Sequence, residues 1–429
     1  MAGIPDPARP QRSATEDTMH RLADTSPAAS GVEAPGTMLP DRRRIAVALA
    51  GFCAFINLYS PQAVLPLLAQ EFGVGVADIS TTITAGTLAV AFIAPFTGTV
   101  ADVIGRKRII AAAMFSLAIP TAMVALAPDL RTMILWRLLQ GLMLPPIFVV
   151  TVAYIAEEWP RREAVAVTGI YTLAAGLGGF FGRFLPGVLA DLLDWRRAFM
   201  SLAAITLALA AGVAVLLPRE RNFVGSEGMR ASAAHMLRHL RNPQLVATYA
   251  VGSGVLFMFV ATFTYVNFLL AAPPFNLPPS LLGSIFVVYL VGAAMAPLAG
   301  RLVDRFGRRR VVVSVIGLWM CGLCLTLISS LPLIVLGLTI SAACGFQCQT
   351  LATSFVATSA EQGHSSSVGL YVTCYYLGGS IGGALPGLAW NAAKWPGCVA
   401  TMLVVLILMA VTVGHFWKGP PAPDRPLPG

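Results

Sequence analysis

The chain has 429 residues, 56% of them hydrophobic and only 11% charged, with a formal net charge of +9. Soluble domains carry roughly 25% charged residues, so a water-soluble globular protein is excluded. A nucleic-acid footprint is excluded too, because Lys and Arg fall in short clusters between apolar runs and never make one continuous basic face.

In chain order, residues 1–43 are rich in Pro, Ala, Ser, Asp and Arg and contain no apolar segment. They read as a disordered cytoplasmic tail and not as a signal peptide. Twelve apolar runs follow, at 45–68, 79–101, 109–127, 132–155, 164–190, 197–217, 244–271, 281–300, 311–330, 332–355, 366–392 and 397–417. Each is long enough as a helix to cross a hydrocarbon core about 30 Å thick. The runs are continuous and do not alternate with period two, so spanning helices are expected and not a barrel. With the N-terminus inside, the inner segments hold 23 of the 29 Lys and Arg, and the outer ones only Arg131, Arg196, Arg197 and Lys394. That asymmetry places both termini in the cytoplasm. The seven cysteines, including Cys321 with Cys324 and Cys344 with Cys348, sit among apolar neighbours without histidine and read as packing residues; no metal and no cofactor is expected.

The second half repeats the first. Shifted by 202 positions, Ala91, Pro95, Gly98 and Asp102 fall on Ala293, Pro297, Gly300 and Asp304. Shifted by 200, Gly169, Tyr171, Gly178, Gly179, Gly182, Pro186 and Trp195 fall on Gly369, Tyr371, Gly378, Gly379, Gly382, Pro386 and Trp395. The fold class is therefore an all-α membrane protein whose twelve transmembrane helices form two pseudo-symmetric six-helix bundles, 44–217 and 244–417. A basic linker, 218–243, is expected to include an amphipathic surface helix, and 418–429 is a second cytoplasmic tail.

Two turns carry the repeat most plainly: Gly98, Asp102, Gly105 and Arg106, with Lys107 and Arg108, and then Gly300, Asp304, Gly307 and Arg308, with Arg309 and Arg310. The glycines permit close packing and a tight turn, while the arginines suit anionic headgroups. Asp102, at the end of the second span, can face the positive N-terminus of the eleventh, which Ser365, Ser366 and Ser367 would cap. Asp304 would do the same for the fifth. On these residues the chain resembles the major facilitator superfamily from Arg42 to Trp417.

Arg137, Gln140 and Gly141 in the fourth span are similar to the pattern of that superfamily's drug and proton antiporter branch. In the fifth span Gly178 to Gly182 resembles the antiporters' glycine motif, but Arg183 stands where proline is expected. Together with Ala153 to Glu158 this looks closest to arabinose-efflux-permease-like bacterial transporters. An intramembrane arginine needs a paired or watery environment. Arg137 and Arg183 lie at a similar depth, roughly 10 Å in, so they either line one hydrated vestibule or attract a substrate with negative or hydroxyl groups. Arg137 could also snorkel outward.

The resemblance implies that the first, fourth, seventh and tenth spans line a central cavity. Their polar residues are Asn57, Tyr59, Gln62, Gln140, Thr264, Tyr265, Asn267, Gln347, Gln349 and Thr350, which suit a sugar, polyol or amphipathic drug or else serve as interhelical glue. It implies a bacterial inner-membrane exporter, a monomer in the lipid bilayer, that moves a small-molecule substrate against protons and is not an enzyme; the alternatives are a facilitator or importer of the same fold, or a transporter-like sensor that binds without moving its substrate. No deep carboxylate exists, so Asp102, Glu157 and Glu158 are the candidate proton carriers. No phosphate-binding loop for a nucleotide is present.

Overall fold

The computed structural model describes residues 41–221, 238–359 and 364–417, which are helical nearly throughout, with no strand among them. The expected amphipathic linker helix and both tails fall largely outside those residues. The first span is a helix Arg42–Leu58, a 3-10 turn Gln62–Val64 and a helix Leu65–Glu71. Proline explains the break: Pro61 has no N–H to give the Asn57 carbonyl four residues earlier. Helices Val76–Ile104, Arg106–Ala125, Leu130–Glu158, Arg161–Leu192 and Trp195–Leu216 make spans two to six.

The seventh span is Pro243–Ala271. The eighth comes in pieces, Pro279–Ile285, Val287–Met295 and Leu298–Phe306, the last bent by 47° from the part before it. Pro297 sits at that bend. Arg308–Leu325 and Leu331–Ser359 are the ninth and tenth spans, and the run His364–Phe416 holds the last two, separated at non-helical Ala393 and Lys394.

Among the described residues nine helices are individually long and apolar enough to cross a membrane, ten with the bent eighth span. The remaining two are the second half of His364–Phe416 and the 18-residue ninth span, whose first three residues are arginines.

Glycines let the helices of each half approach closely, and the contacts recur between the halves. Gly178 and Gly182 lie against the carbonyls of Phe52 and Ile56, and Gly378 and Gly382 against those of Ser253 and Phe257. Likewise Gly51 faces the ring of Tyr171 and Gly252 that of Tyr371. Without a hydrophobic drive between helices in lipid, such small-residue seams supply the van der Waals contact that holds a bundle together.

Candidate functional site

At the end carrying the arginine-rich turns, Gly105 adopts φ +96°, and this left-handed kink starts the third span immediately after the second. The kink brings Arg106 back over Asp102, Nη1 to Oδ1 at 2.8 Å, while Nη2 and Nε grip the two oxygens of Glu157 at 2.8 and 3.2 Å. Arg106 is only 5% exposed. It therefore joins spans two, three and four and does not face headgroups. Glu158 accepts from the backbone N–H of Arg221 at 2.6 Å, and Glu220 from that of Lys107 at 3.3 Å. Burial and bidentate geometry make the Arg106–Glu157 pair stronger than a surface ion pair.

The second copy differs. Gly307 repeats the kink at φ +81°, but Asp304 is exposed and makes no hydrogen bond or ion pair among the described residues. Arg308 lies over the ring of Phe355, 5.1 Å from its centroid. The tenth span has no carboxylate at the place that Glu157 holds in the fourth. The side chains of Ser365 and Ser366 lie outside the described residues, and Ser367 is hydrogen-bonded to Tyr249 at 2.8 Å.

Breaking a buried pair by removing one partner costs roughly 3 to 5 kcal/mol. Glu157→Gln is thus expected to lower the melting temperature and yield of the purified protein clearly, while Asp304→Asn stays within about 0.5 kcal/mol of wild type, as an unpaired surface change does. Equal losses in thermal unfolding would remove the asymmetry.

Arg137 is 1% exposed and its donors are taken up by acceptors from three spans. Nη1 donates to the Asn57 carbonyl at 3.1 Å and to Gln140 Oε1 at 2.6 Å, Nη2 to the Leu58 carbonyl, and Nε to the Thr82 carbonyl at 3.3 Å. The proline break in the first span leaves the Asn57 and Leu58 carbonyls without their usual helical partners, and the guanidinium fork supplies donors. Gln140 Nε2 donates to Thr121, Thr121 donates to Asn57 Oδ1, and Asn57 Nδ2 donates to Thr206 and to the Cys53 carbonyl. Asn57 and Gln140 are hence sealed within the first half as interhelical glue. Arg137 does not snorkel.

Arg183 lies on the other side of the same broken segment, 57–62, in a separate network. Nε donates to Gln62 Oε1 and Nη1 to the Gly179 carbonyl, each at 2.6 Å. Three rings surround the guanidinium carbon, with centroids at 4.5 Å (Tyr59), 4.7 Å (Phe286) and 4.9 Å (Tyr289). Tyr59 and Gln62 come from the first span, Phe286 and Tyr289 from the eighth.

Gln62 is the meeting point of the halves. Its Nε2 donates to Thr264 Oγ1 and its carbonyl accepts from Asn267 Nδ2, both at 2.8 Å. Thr84 and Thr87 bond to Ser380, and the Ser280 N–H donates to Asp191. Among the described residues every hydrogen bond between the halves lies toward the end remote from the arginine-rich turns. At the turn end, a Cβ on Gly98 or Gly300 would meet nothing within 4 Å.

Of the other expected cavity residues, Tyr265 is fully buried with its hydroxyl on the Gly383 carbonyl at 2.7 Å. Gln347 is buried with Oε1 lacking a partner, Gln349 is half-buried and Thr350 exposed. Tyr289, Tyr375 and Tyr376 also crowd this centre, with Tyr371, which the sequence marks only through its place in the repeat. A signal existed, since three of the chain's nine tyrosines lie within six positions of the eleventh span. Tyr376 reaches across the halves to Phe148, 5.8 Å between centroids. Two apolar grooves of about 560 and 260 Å³ run beside the eleventh span, sharing Ile381 and Leu385, and neither includes Gln62 or Arg183.

The sequence profile of the Major Facilitator Superfamily matches residues 47–270 and 254–429. The chain belongs to the Major Facilitator Superfamily. This superfamily member is 31% identical over 378 residues to the inner membrane transport protein YnfM of Escherichia coli (strain K12), covering 87% of this chain and 90% of that one. It is 28% identical over 364 residues to an uncharacterized transporter of Buchnera aphidicola subsp. Schizaphis graminum, covering 85% and 88%. A mutant of the nucleoside transporter NupG shares the fold with TM-score 0.71 at 15% identity, over 87% of this chain and all of that one. A bacterial homolog of the human lysosomal transporter Spinster, inward-facing and unoccupied, does so with TM-score 0.68 at 14% identity, over 88% and 95%. Fold, family and relatives together make this a multi-pass membrane transporter.

Proposed function

We propose that the chain exports small polar or amphipathic solutes, sugar-like, polyol-like or drug-like, by alternating access coupled to proton antiport across a bacterial inner membrane. The observation that carries alternating access is the distribution of contacts between the halves. Among the described residues their hydrogen bonds gather at one end, and at the other a Cβ on Gly98 or Gly300 would meet nothing within 4 Å. With the arginine-rich turns in the cytoplasm, this conformation is the inward-facing one. Rocking the two bundles about the level of Gln62 exchanges it for its opposite.

Export by antiport is supported by the antiporter-like Arg137, Gln140 and Gly141, and by the cluster of Asp102, Glu157 and Glu158, whose carboxylates would exchange the proton. A second reading, a facilitator, is favoured by one observation: neither buried arginine has a carboxylate partner among the described residues.

Proteoliposomes with an imposed pH gradient separate the two. Antiport predicts that labelled sugars, polyols or cationic dyes accumulate against their gradient, and that neutralising Asp102, Glu157 and Glu158 singly abolishes accumulation in at least one case while counterflow exchange persists. Flux that is indifferent to the pH gradient rules out antiport, and no flux of any solute rules out transport of this class.

A further inference from the structure

Arg183 is 5% exposed, carries a permanent charge, and has no carboxylate within ion-pairing distance among the described residues. Its Nε and one Nη1 hydrogen are occupied. Nη2 makes no hydrogen bond among the described residues, so the edge between Nη1 and Nη2 remains open to an acceptor. A buried cation without a counter-ion is costly, and ring faces offset that cost only in part. Around the guanidinium the site offers aromatic surface: Tyr59, Phe286 and Tyr289, with Phe346 next to Tyr289 at 5.9 Å.

We propose that Arg183 is the anchor for the anionic group of the substrate, a carboxylate borne on an apolar or aromatic body, and that the same side chain latches the far end shut until that anion arrives. The inference rests on the alternating-access reading and narrows its solute class. A carboxylate fits the open guanidinium edge with two parallel N–H to O bonds. A neutral sugar would leave the charge uncompensated. A cationic drug would be repelled by Arg183 and by Arg137 across the segment 57–62.

The latch follows from where the rings come from. Phe286 and Tyr289 belong to the second half and Arg183 to the first, so the guanidinium stitches the two together. Pairing with an anion neutralises that charge and weakens its attraction to the rings. Substrate binding from the open side thereby loosens the opposite side. A ligand that binds the opened state better than the closed one shifts the population toward it.

The test uses the full-length protein purified in nanodiscs and three probes with one ring and three charges: benzoate, benzamide and benzylammonium. Quenching of intrinsic Trp and Tyr fluorescence reads binding. Saturable binding is expected for benzoate alone, at least tenfold weaker in Arg183→Gln and intermediate in Arg183→Lys. Phe286→Leu removes a competing ring and leaves the charge in place, so it is expected to bind benzoate several-fold more tightly; this variant also carries the test if Arg183→Gln does not fold. Benzoate affinity unchanged in Arg183→Gln, matched by benzamide or benzylammonium, or absent in wild type overturns the anchor, and affinity weakened in Phe286→Leu overturns the latch. Benzoate uptake by proteoliposomes keeps the two readings apart. Binding without flux removes transport and leaves the anchor, whereas flux of another solute without benzoate binding does the reverse.

Discussion

Arg137→Met is expected to cost the folded protein roughly 3 kcal/mol or more, since each buried acceptor left unsatisfied costs about 1 to 3 kcal/mol. Methionine has similar length and no donors. It leaves the Leu58 carbonyl and Gln140 Oε1 without a donor inside the first half, while the Asn57 carbonyl keeps Ser60 and Thr82 stays within its helix. Removing that one side chain also takes away the first link of the chain of bonds that runs from Gln140 through Thr121 and Asn57 to Thr206. Arg137→Lys should recover only part, because an ammonium on a flexible stem cannot span acceptors on three helices as a planar fork does. Membrane yield and thermal unfolding in detergent measure this. If Arg137→Met keeps wild-type yield and melting temperature but loses flux, the residue acts on the substrate and not on the fold.

Gly187→Val is expected to act on the equilibrium between conformations. A Cβ at Gly187 would run into the Pro279 carbonyl, where the fifth span meets the eighth, so the clash falls between the halves and not inside either. Overpacking of this kind costs roughly 1 to 3 kcal/mol, and the halves can escape it by separating there. The far end then opens, and hydrogen–deuterium exchange should rise in 76–87 and 279–289 at unchanged yield. Gly378→Val makes the control, because its clash with the Ser253 carbonyl lies within the second half and no rocking relieves it. That variant should lose yield. If both variants lose yield alike and exchange does not change, the Gly187 contact is structural and not a gate.

Much of this architecture could be read from the chain because its causes are local. Spanning length sets the helices, and the glycines at 178, 182, 378 and 382 mark close approach whatever lies opposite. That the carbonyls of Asn57 and Leu58 lose their usual helical partners is also implied by Pro61. Their partner is not, since Arg137 stands 80 residues from Asn57 and only the packing of four helices brings them together. The polarity of Asn57 and Gln140 fits a pathway lining or interhelical glue equally well in the sequence, and the hydrogen bonds that take up their side chains come from residues far along the chain. The inequality of Asp102 and Asp304 was within reach. Glu157 and Glu158 close the fourth span, and Thr358 and Ser359 close the tenth, so the second turn has no acidic partner at that place.

The bend in the eighth span has a mechanical side. Its second-span counterpart, Val76–Ile104, runs unbroken through Pro95, while Pro297 at the matching position divides Pro279–Met295 from Leu298–Phe306 by 47°. Leu298–Phe306 has nine residues and is about 13 Å long, so straightening it would carry its tip through roughly 11 Å. One copy of the repeat is thus a stiff strut and the other a crank, with one arm held against the fifth span by Gly283 and the other carrying Asp304.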